Sequence, residues 1–202
     1  TVASPAGTED TDSGAIAITR AAGDGAETTH YKVTGITGGT LYSDAGYTTA
    51  ISNNDFIASS GATTNVYFRP TANGNSTTGG NGAFTVQASK SNVDSGLGGT
   101  TATSTITLVA VADTPSVTNA STLEDTQSTT GLVLSRNAGD GAETTHFKIT
   151  GITGGTLYKT DGTTAISNGT FITFAEGNAG LKFTPTANSS TAGSFTSAFQ
   201  PL

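Results

Sequence analysis

The stretch RAAGDGAETTHYKVTGITGGTLY at residues 20–42 returns as RNAGDGAETTHFKITGITGGTLY at residues 136–158. Only three positions differ: Ala21/Asn137, Tyr31/Phe147 and Val33/Ile149. Identity this dense marks a tandem duplication of one folding unit. Working outward, Glu9-Asp10-Thr11 matches Glu124-Asp125-Thr126, and Ala50-Ile51-Ser52-Asn53 matches Ala165-Ile166-Ser167-Asn168. Phe68-Arg69-Pro70-Thr71-Ala72-Asn73 matches Phe183-Thr184-Pro185-Thr186-Ala187-Asn188. Glu9 and Glu124 stand 115 positions apart. That spacing is too long for one turn of a solenoid and suits a domain with its own core.

The periodicity inside each copy is two. Ile106, Leu108 and Ala110 alternate with Thr105, Thr107 and Val109, Val66 shares a face with Phe68, and Phe84 shares one with Val86. Such alternation is expected of antiparallel strands with one face on a core. Strands are predicted at 15–20, 30–36, 40–43, 65–71, 83–90 and 101–112. In the second copy they are predicted at 131–136, 145–152, 156–159, 171–174, 180–186 and 194–200. Gly, Asn, Asp and Ser separate them, and no segment sustains a helical period. The fold class is therefore all-β: two tandem Greek-key, immunoglobulin-like β-sandwich domains. Residues 1–113 form the first and residues 114–202 the second, the break lying at Asp113-Thr114-Pro115, where a proline stops strand pairing. The expected core of the first copy includes Ile106, Leu108, Phe84, Val86, Val66 and Phe68.

The second copy has no counterpart of residues 101–112, the last strand of the first. A sandwich without that strand exposes an edge and an open slot in its core. Two explanations stay open: the sequence stops short of that strand, or a neighbouring chain donates it, residues 1–8 being one candidate donor.

Composition narrows the functional classes. The chain has 202 residues, a net charge of -7, no Cys, no Met and no Trp. Without Met it is expected to be a processed product or a piece of something longer. Without Cys its core must hold it together unaided. Its acidity and scattered cations argue against a nucleic-acid partner. No apolar run is long enough to span a bilayer, so membrane insertion is not expected. His30 and His146 are the only histidines, one per copy. They are expected to be hydrogen-bonded strand residues and not catalytic groups, so no enzyme activity is expected.

The acids are patterned. Eight of the 15 occupy matched positions: Glu9/Glu124, Asp10/Asp125, Asp24/Asp140 and Glu27/Glu143. Clustered carboxylates repel one another unless a cation sits among them, and Ca²⁺ takes six to eight oxygens. An EDT motif near the domain start, a GDGAE turn, a GGTL turn, a Phe-x-Pro strand and an Asp-x-Pro linker together resemble the bacterial cadherin-like repeats of large surface adhesins. The resemblance covers essentially all of the first copy and most of the second. It implies Ca²⁺ as cofactor, bound near domain junctions and stiffening a rod. Carried over, Asp113 is the linker ligand, with Glu9, Asp24 and Glu27 as its partners. Glu124, Asp140 and Glu143 do the same at the next junction. The chain departs from the family in its acidic turn, where Ala22-Gly23-Asp24-Gly25-Ala26 replaces an Asp-x-Asp-Gly-Asp form.

The expected function is structural: a secreted, cell-surface repeat of a bacterial adhesin or matrix protein that extends and stiffens. Its expected partners are neighbouring repeats, copies of the same protein, and cell-surface or matrix glycans. One alternative is the protomer of an extracellular filament built by strand donation. Another is a carbohydrate-binding module, which would need exposed aromatics on one face among Tyr31, Tyr42, Tyr47, Tyr67 and Tyr158.

Overall fold

The fold follows from a computed structural model that describes residues 1–76 and 80–200, the last two of these by backbone only. The chain divides into two compact units, Thr1–Ala110 and Val111–Leu202. Val111, Ala112 and Asp113 thus belong to the second unit, a little earlier than the expected break.

The first unit runs β1 (Ala6–Thr8), β2 (Ile16–Thr19), β3 (His30–Thr37), β4 (Gly39–Tyr42), β5 (Ala50–Ile51), β6 (Phe56–Ala58), β7 (Thr63–Pro70), β8 (Gly82–Ser89) and β9 (Ala102–Val109). They form two sheets, in the orders β1-β9-β8-β3-β6 and β2-β7-β4-β5. All neighbours are antiparallel except β1, which lies parallel to β9. This is an immunoglobulin-like Greek-key sandwich. Alternation delivers the core between the sheets. Ile16, Val33, Leu41, Val66, Phe68, Phe84, Val86, Ile106 and Leu108 are all buried there, including the six side chains expected from the sequence.

The shared sequence has visible work to do. Gly38 sits at φ 70° in the turn between β3 and β4, a conformation that costs a side chain. A Cβ on the next residue, Gly39, would lie 2.3 Å from the Arg69 carbonyl. β3 carries a bulge between Thr34 and Thr37, and the Ile36 amide freed there donates to Asn53 Oδ1 at 2.9 Å. The second unit repeats each device with Gly154, Gly155, the bulge between Thr150 and Thr153, and the Ile152–Asn168 bond at 2.9 Å. The matched Ala-Ile-Ser-Asn segments are therefore bulge locks.

The second unit contains β10 (Ser116–Val117), β11 (Leu134–Ser135), β12 (His146–Thr153), β13 (Gly155–Tyr158), β14 (Ala165–Ile166), β15 (Phe171–Thr173), a short helix α1 (Phe174–Asn178), β16 (Lys182–Pro185) and β17 (Ser194–Gln200). β12 pairs with β17 in the register that β3 keeps with β8. Its core holds Leu134, Phe147, Ile149, Leu157, Ile166, Ile172 and Leu181.

Two features separate the units. The helix was not expected. Residues 59–62 are a loop leading into β7, which begins at Thr63, whereas the matched segment holds the helical turn of residues 174–178. Thr173 caps it, accepting from the Glu176 amide at 3.2 Å while Glu176 Oε2 accepts from the Thr173 amide at 2.8 Å. This Thr-x-x-Glu capping box was a legible helix signal, but the segment is too short to show a helical period. The second feature is the absence, among the described residues, of any strand equivalent to β9. β17 pairs with β12 alone.

Candidate functional site

The acidic turn of the second unit is built from residues 136–144. Asn137 Oδ1 accepts from the Gly139 amide at 3.0 Å, and the Asp140 amide returns to the Asn137 carbonyl at 3.1 Å. Glu143 Oε1 accepts from the Gly141 amide at 2.7 Å. Arg136 closes the turn, with Nε donating to the Thr144 carbonyl at 2.8 Å and its guanidinium 3.7 Å from the centre of the Phe174 ring. Asp113, expected to partner Glu9, Asp24 and Glu27, belongs to the second unit and bonds to this turn, its amide donating to Asp140 Oδ1 at 3.0 Å.

The other oxygens, Asp140 Oδ2 and Glu143 Oε2, are buried without a hydrogen-bond partner. Burial pushes the Asp140 carboxyl above the usual carboxylate range. The Asp113 amide pulls it down in part, while the charges of Asp113 and Glu143 push it further up. An anion held away from water beside two others is a costly arrangement. The donor set suits a hard cation at Asp140 and Glu143. Among the described residues, however, no three His, Cys, Asp or Glu side chains converge as a preformed metal cage.

The remaining expected ligands divide by role. Glu9 is buried, and its Oε2 accepts from buried Asn75 Nδ2 at 2.9 Å. Glu124 is exposed, because Ser190 replaces that asparagine. Asp24 and Glu27 line one depression of about 630 Å³ with Thr1, Arg20 and Tyr31. The second acid of each EDT motif ties a distant loop: Asp10 Oδ1 accepts from the Asn73 amide and Asp125 Oδ1 from the Asn188 amide, both at 2.8 Å. Asp10 and Asp125 take positive φ to do so, 60° and 57°, a conformation that Asp tolerates. That pairing spans 63 positions, and periodicity carries no trace of it.

One cluster was not anticipated. Arg69 holds Asp12 in a two-pronged ion pair, both contacts at 2.7 Å. Its guanidinium lies 5.4 Å from the Tyr42 ring centre and 4.9 Å from that of Tyr47. Tyr47 meets Tyr42 and Tyr67 edge to face and donates its hydroxyl to the Ser13 carbonyl. Of the tyrosines considered for sugar binding, Tyr42, Tyr47 and Tyr67 gather here, while Tyr31 is buried. The cluster belongs to the first unit only, since Thr184 replaces Arg69 and Gln127 replaces Asp12. His30 and His146 each bond through Nδ1 to the preceding threonine hydroxyl at 2.8 Å.

The open edge of the second unit is the largest departure from the first. Phe68 and Phe84 are fully buried, but their counterparts Phe183 and Phe195 are only partly covered. They border a groove of about 420 Å³ that Val117, Leu132 and Gly193 help to line. Residues 1–8, a candidate donor strand, are already engaged in their own unit. Val2 bridges Ile18, β1 lies on β9, and the Ala3 carbonyl accepts from Ser104 Oγ at 2.6 Å.

No protein-family model matches this sequence, and no curated protein matches it either. Among solved structures it is similar to the titin domains Z1Z2 in complex with telethonin, at 12% identity, 100% coverage of this chain, 92% coverage of that chain and a TM-score of 0.31.

Proposed function

We propose that the chain is a structural repeat pair from a secreted bacterial surface protein of the cadherin-like adhesin type. In this reading its sandwiches extend, stiffen and present, and they catalyse nothing. The observation that carries the reading is that one unit is built twice with the same register, bulge and turn locks. Duplication of that kind serves length and multivalency. The natural partners are neighbouring repeats or other copies, with surface or matrix glycans as targets. The Tyr42, Tyr47 and Tyr67 cluster beside Arg69 is the place where the carbohydrate-binding alternative would be sought, because aromatic rings and a planar cation suit sugar faces and hydroxyls.

Ca²⁺ is the proposed cofactor, held by Asp140 and Glu143 with Asp113. The orphaned oxygens of Asp140 and Glu143 support this assignment, since a divalent cation would relieve the repulsion that burial imposes on them. Asp24 and Glu27 are the corresponding acids of the first unit. Calorimetry tests the proposal. Millimolar Ca²⁺ should raise the melting temperature of the second unit, and a chelator should reverse the rise. Asp140→Asn should raise the calcium-free melting temperature, by about 1 kcal/mol of stability, and abolish the calcium response. A wild-type chain indifferent to Ca²⁺ removes the metal. Small-angle scattering on longer arrays tests the rod, which fails if they behave as flexible coils.

A further inference from the structure

The sequence AGDGAETTH occurs at residues 22–30 and again, letter for letter, at residues 138–146. Identical local sequence carries identical intrinsic chemistry, so a difference in reactivity between the two turns is set by the fold. Each turn holds an Asp-Gly step, and a third lies at Asp161-Gly162. At such a step the glycine amide nitrogen can attack the aspartate Cγ, because no Cβ stands in its way. The attack needs an amide that is not committed to an acceptor. It also needs a carboxyl free to swing over that amide. Asp140 and Asp161 fail on both counts. The Gly141 amide donates to Glu143 Oε1 at 2.7 Å, and Asp140 Oδ1 accepts from the Asp113 amide at 3.0 Å. The Gly162 amide donates to the Lys159 carbonyl at 2.9 Å, and Asp161 Oδ1 accepts from the Thr163 and Thr164 amides, both at 2.8 Å. Asp24-Gly25 differs. Among the described residues the Gly25 amide has no acceptor and the Asp24 carboxylate no donor. A Cβ on Gly23 would meet nothing within 4 Å, and one on Gly25 only Glu27 Oε2 at 4.0 Å, so the turn has room to move. Part of the cause is written in the sequence: Ala21 stands where Asn137 Oδ1 ties down the Gly139 amide at 3.0 Å. The bond from Gly141 to Glu143 lies wholly inside its own turn, so that protection does not depend on what precedes either unit.

We propose that Asp24 is a site of spontaneous covalent modification, isomerising to isoaspartate while Asp140 and Asp161 persist. The Gly25 nitrogen bonds to Asp24 Cγ, and the amide proton and the carboxyl hydroxyl leave as water. The five-membered succinimide then takes up water at one of its two carbonyls. Opening at Cγ restores aspartate. Opening at the main-chain carbonyl of Asp24 leaves the chain running through the side chain, with the former main-chain carbon as a free carboxylate. Water is the only co-reactant, and the mass is unchanged because the water lost is regained.

The product adds one methylene to the main chain in the link between β2 and β3. It also moves the carboxylate relative to Glu27, which is exposed. The first unit's acidic turn therefore changes with age while its twin does not. This inference is independent of the rod reading and of calcium, and a chelator in the incubation keeps it so.

The test ages the full 202-residue chain at neutral pH and physiological temperature, once folded and once in urea. Tryptic mapping with electron-transfer fragmentation counts isoaspartate at Asp24, Asp140 and Asp161. The Asp24 and Asp140 peptides separate by mass, since they differ at Ala21/Asn137 and Tyr31/Phe147. In urea Asp24 and Asp140 should age at the same rate. In the folded chain Asp24 should gain isoaspartate roughly fivefold faster than Asp140, the ratio expected of one retained hydrogen bond. As a second measurement, Glu143→Ala, which frees the Gly141 amide, should speed isoaspartate formation at Asp140 in the folded chain and leave the rate in urea unchanged. Equal accumulation in the folded chain, a lead for Asp140, or an unaltered Asp24 beside a reactive urea sample overturns the proposal. So does a Glu143→Ala chain in which Asp140 gains nothing, because the hydrogen-bond explanation then fails.

Discussion

Tyr31 shows how a single atom separates two near-identical copies. Its hydroxyl is buried without a partner, while the matched Phe147 fills the same core position with no polar atom. An unpaired buried hydroxyl costs about 1–3 kcal/mol. Tyr31→Phe should therefore leave the first unit equally stable or stabilise it by about 1 kcal/mol, read from urea unfolding, and a loss of stability would show that the hydroxyl is satisfied. Asp161 lies at the opposite extreme. Thr164 Oγ1 and the amides of Thr164 and Thr163 donate to its carboxylate and hold it down at about 2. Asp44 is held low in the first unit by Thr49, Thr48 and Gly46. A carboxyl depressed in the fold contributes stability above its ordinary range and loses it as pH falls through the depressed value. An NMR titration should place Asp161 near 2, and an ordinary value would mean that the turn is open. Asp140 has the reverse sign. Its raised value favours the protonated form in the fold, so this group's penalty lifts as pH falls and returns as pH rises through that value. Both histidines and the core aromatics were legible from the sequence. The partners of Glu9, Asp10 and Asp125 were not, because they lie more than 60 positions away and meet only after the sheets close.

Among the elements, α1 is the instructive one. The two copies share length and register around it, yet residues 59–62 are loop while residues 174–178 turn as a helix. Thr173 and Glu176 explain the difference, each side chain accepting from the other residue's backbone amide at the start of the helix. Gly177 then lets the helix rest on the Phe147 ring, where a Cβ would come within 2.8 Å. Thr173→Ala should cost about 1 kcal/mol, measurable by thermal unfolding, and Ala58→Thr at the matched position of the first unit should gain no helix. If the Thr173 variant is neutral, packing of Phe174 against Arg136 and Phe147 carries the turn. The strands were easier to anticipate, since alternation and glycine turns mark them locally. The short pairings of β1, β5, β10 and β14 were missed because two or three residues carry no period.

At the scale of the whole molecule the units differ in the size of their described cores. Among the described residues, the first buries twelve apolar side chains in its core cluster and the second buries seven. Apolar burial is the dominant stabilising term. Calorimetry should therefore resolve two transitions, with the second unit melting first. One cooperative transition, or early loss of the first unit, would contradict this. The sequence alone determined the duplication, the all-β class, the glycine turns and the alternating core, because each is written in local spacing. Only the tertiary structure decided that Asp113 meets Asp140, that Tyr31 is left without a partner, and that an apolar groove lies beside β17. Those outcomes depend on which strands become neighbours, and neighbours in a Greek key come from distant parts of the chain.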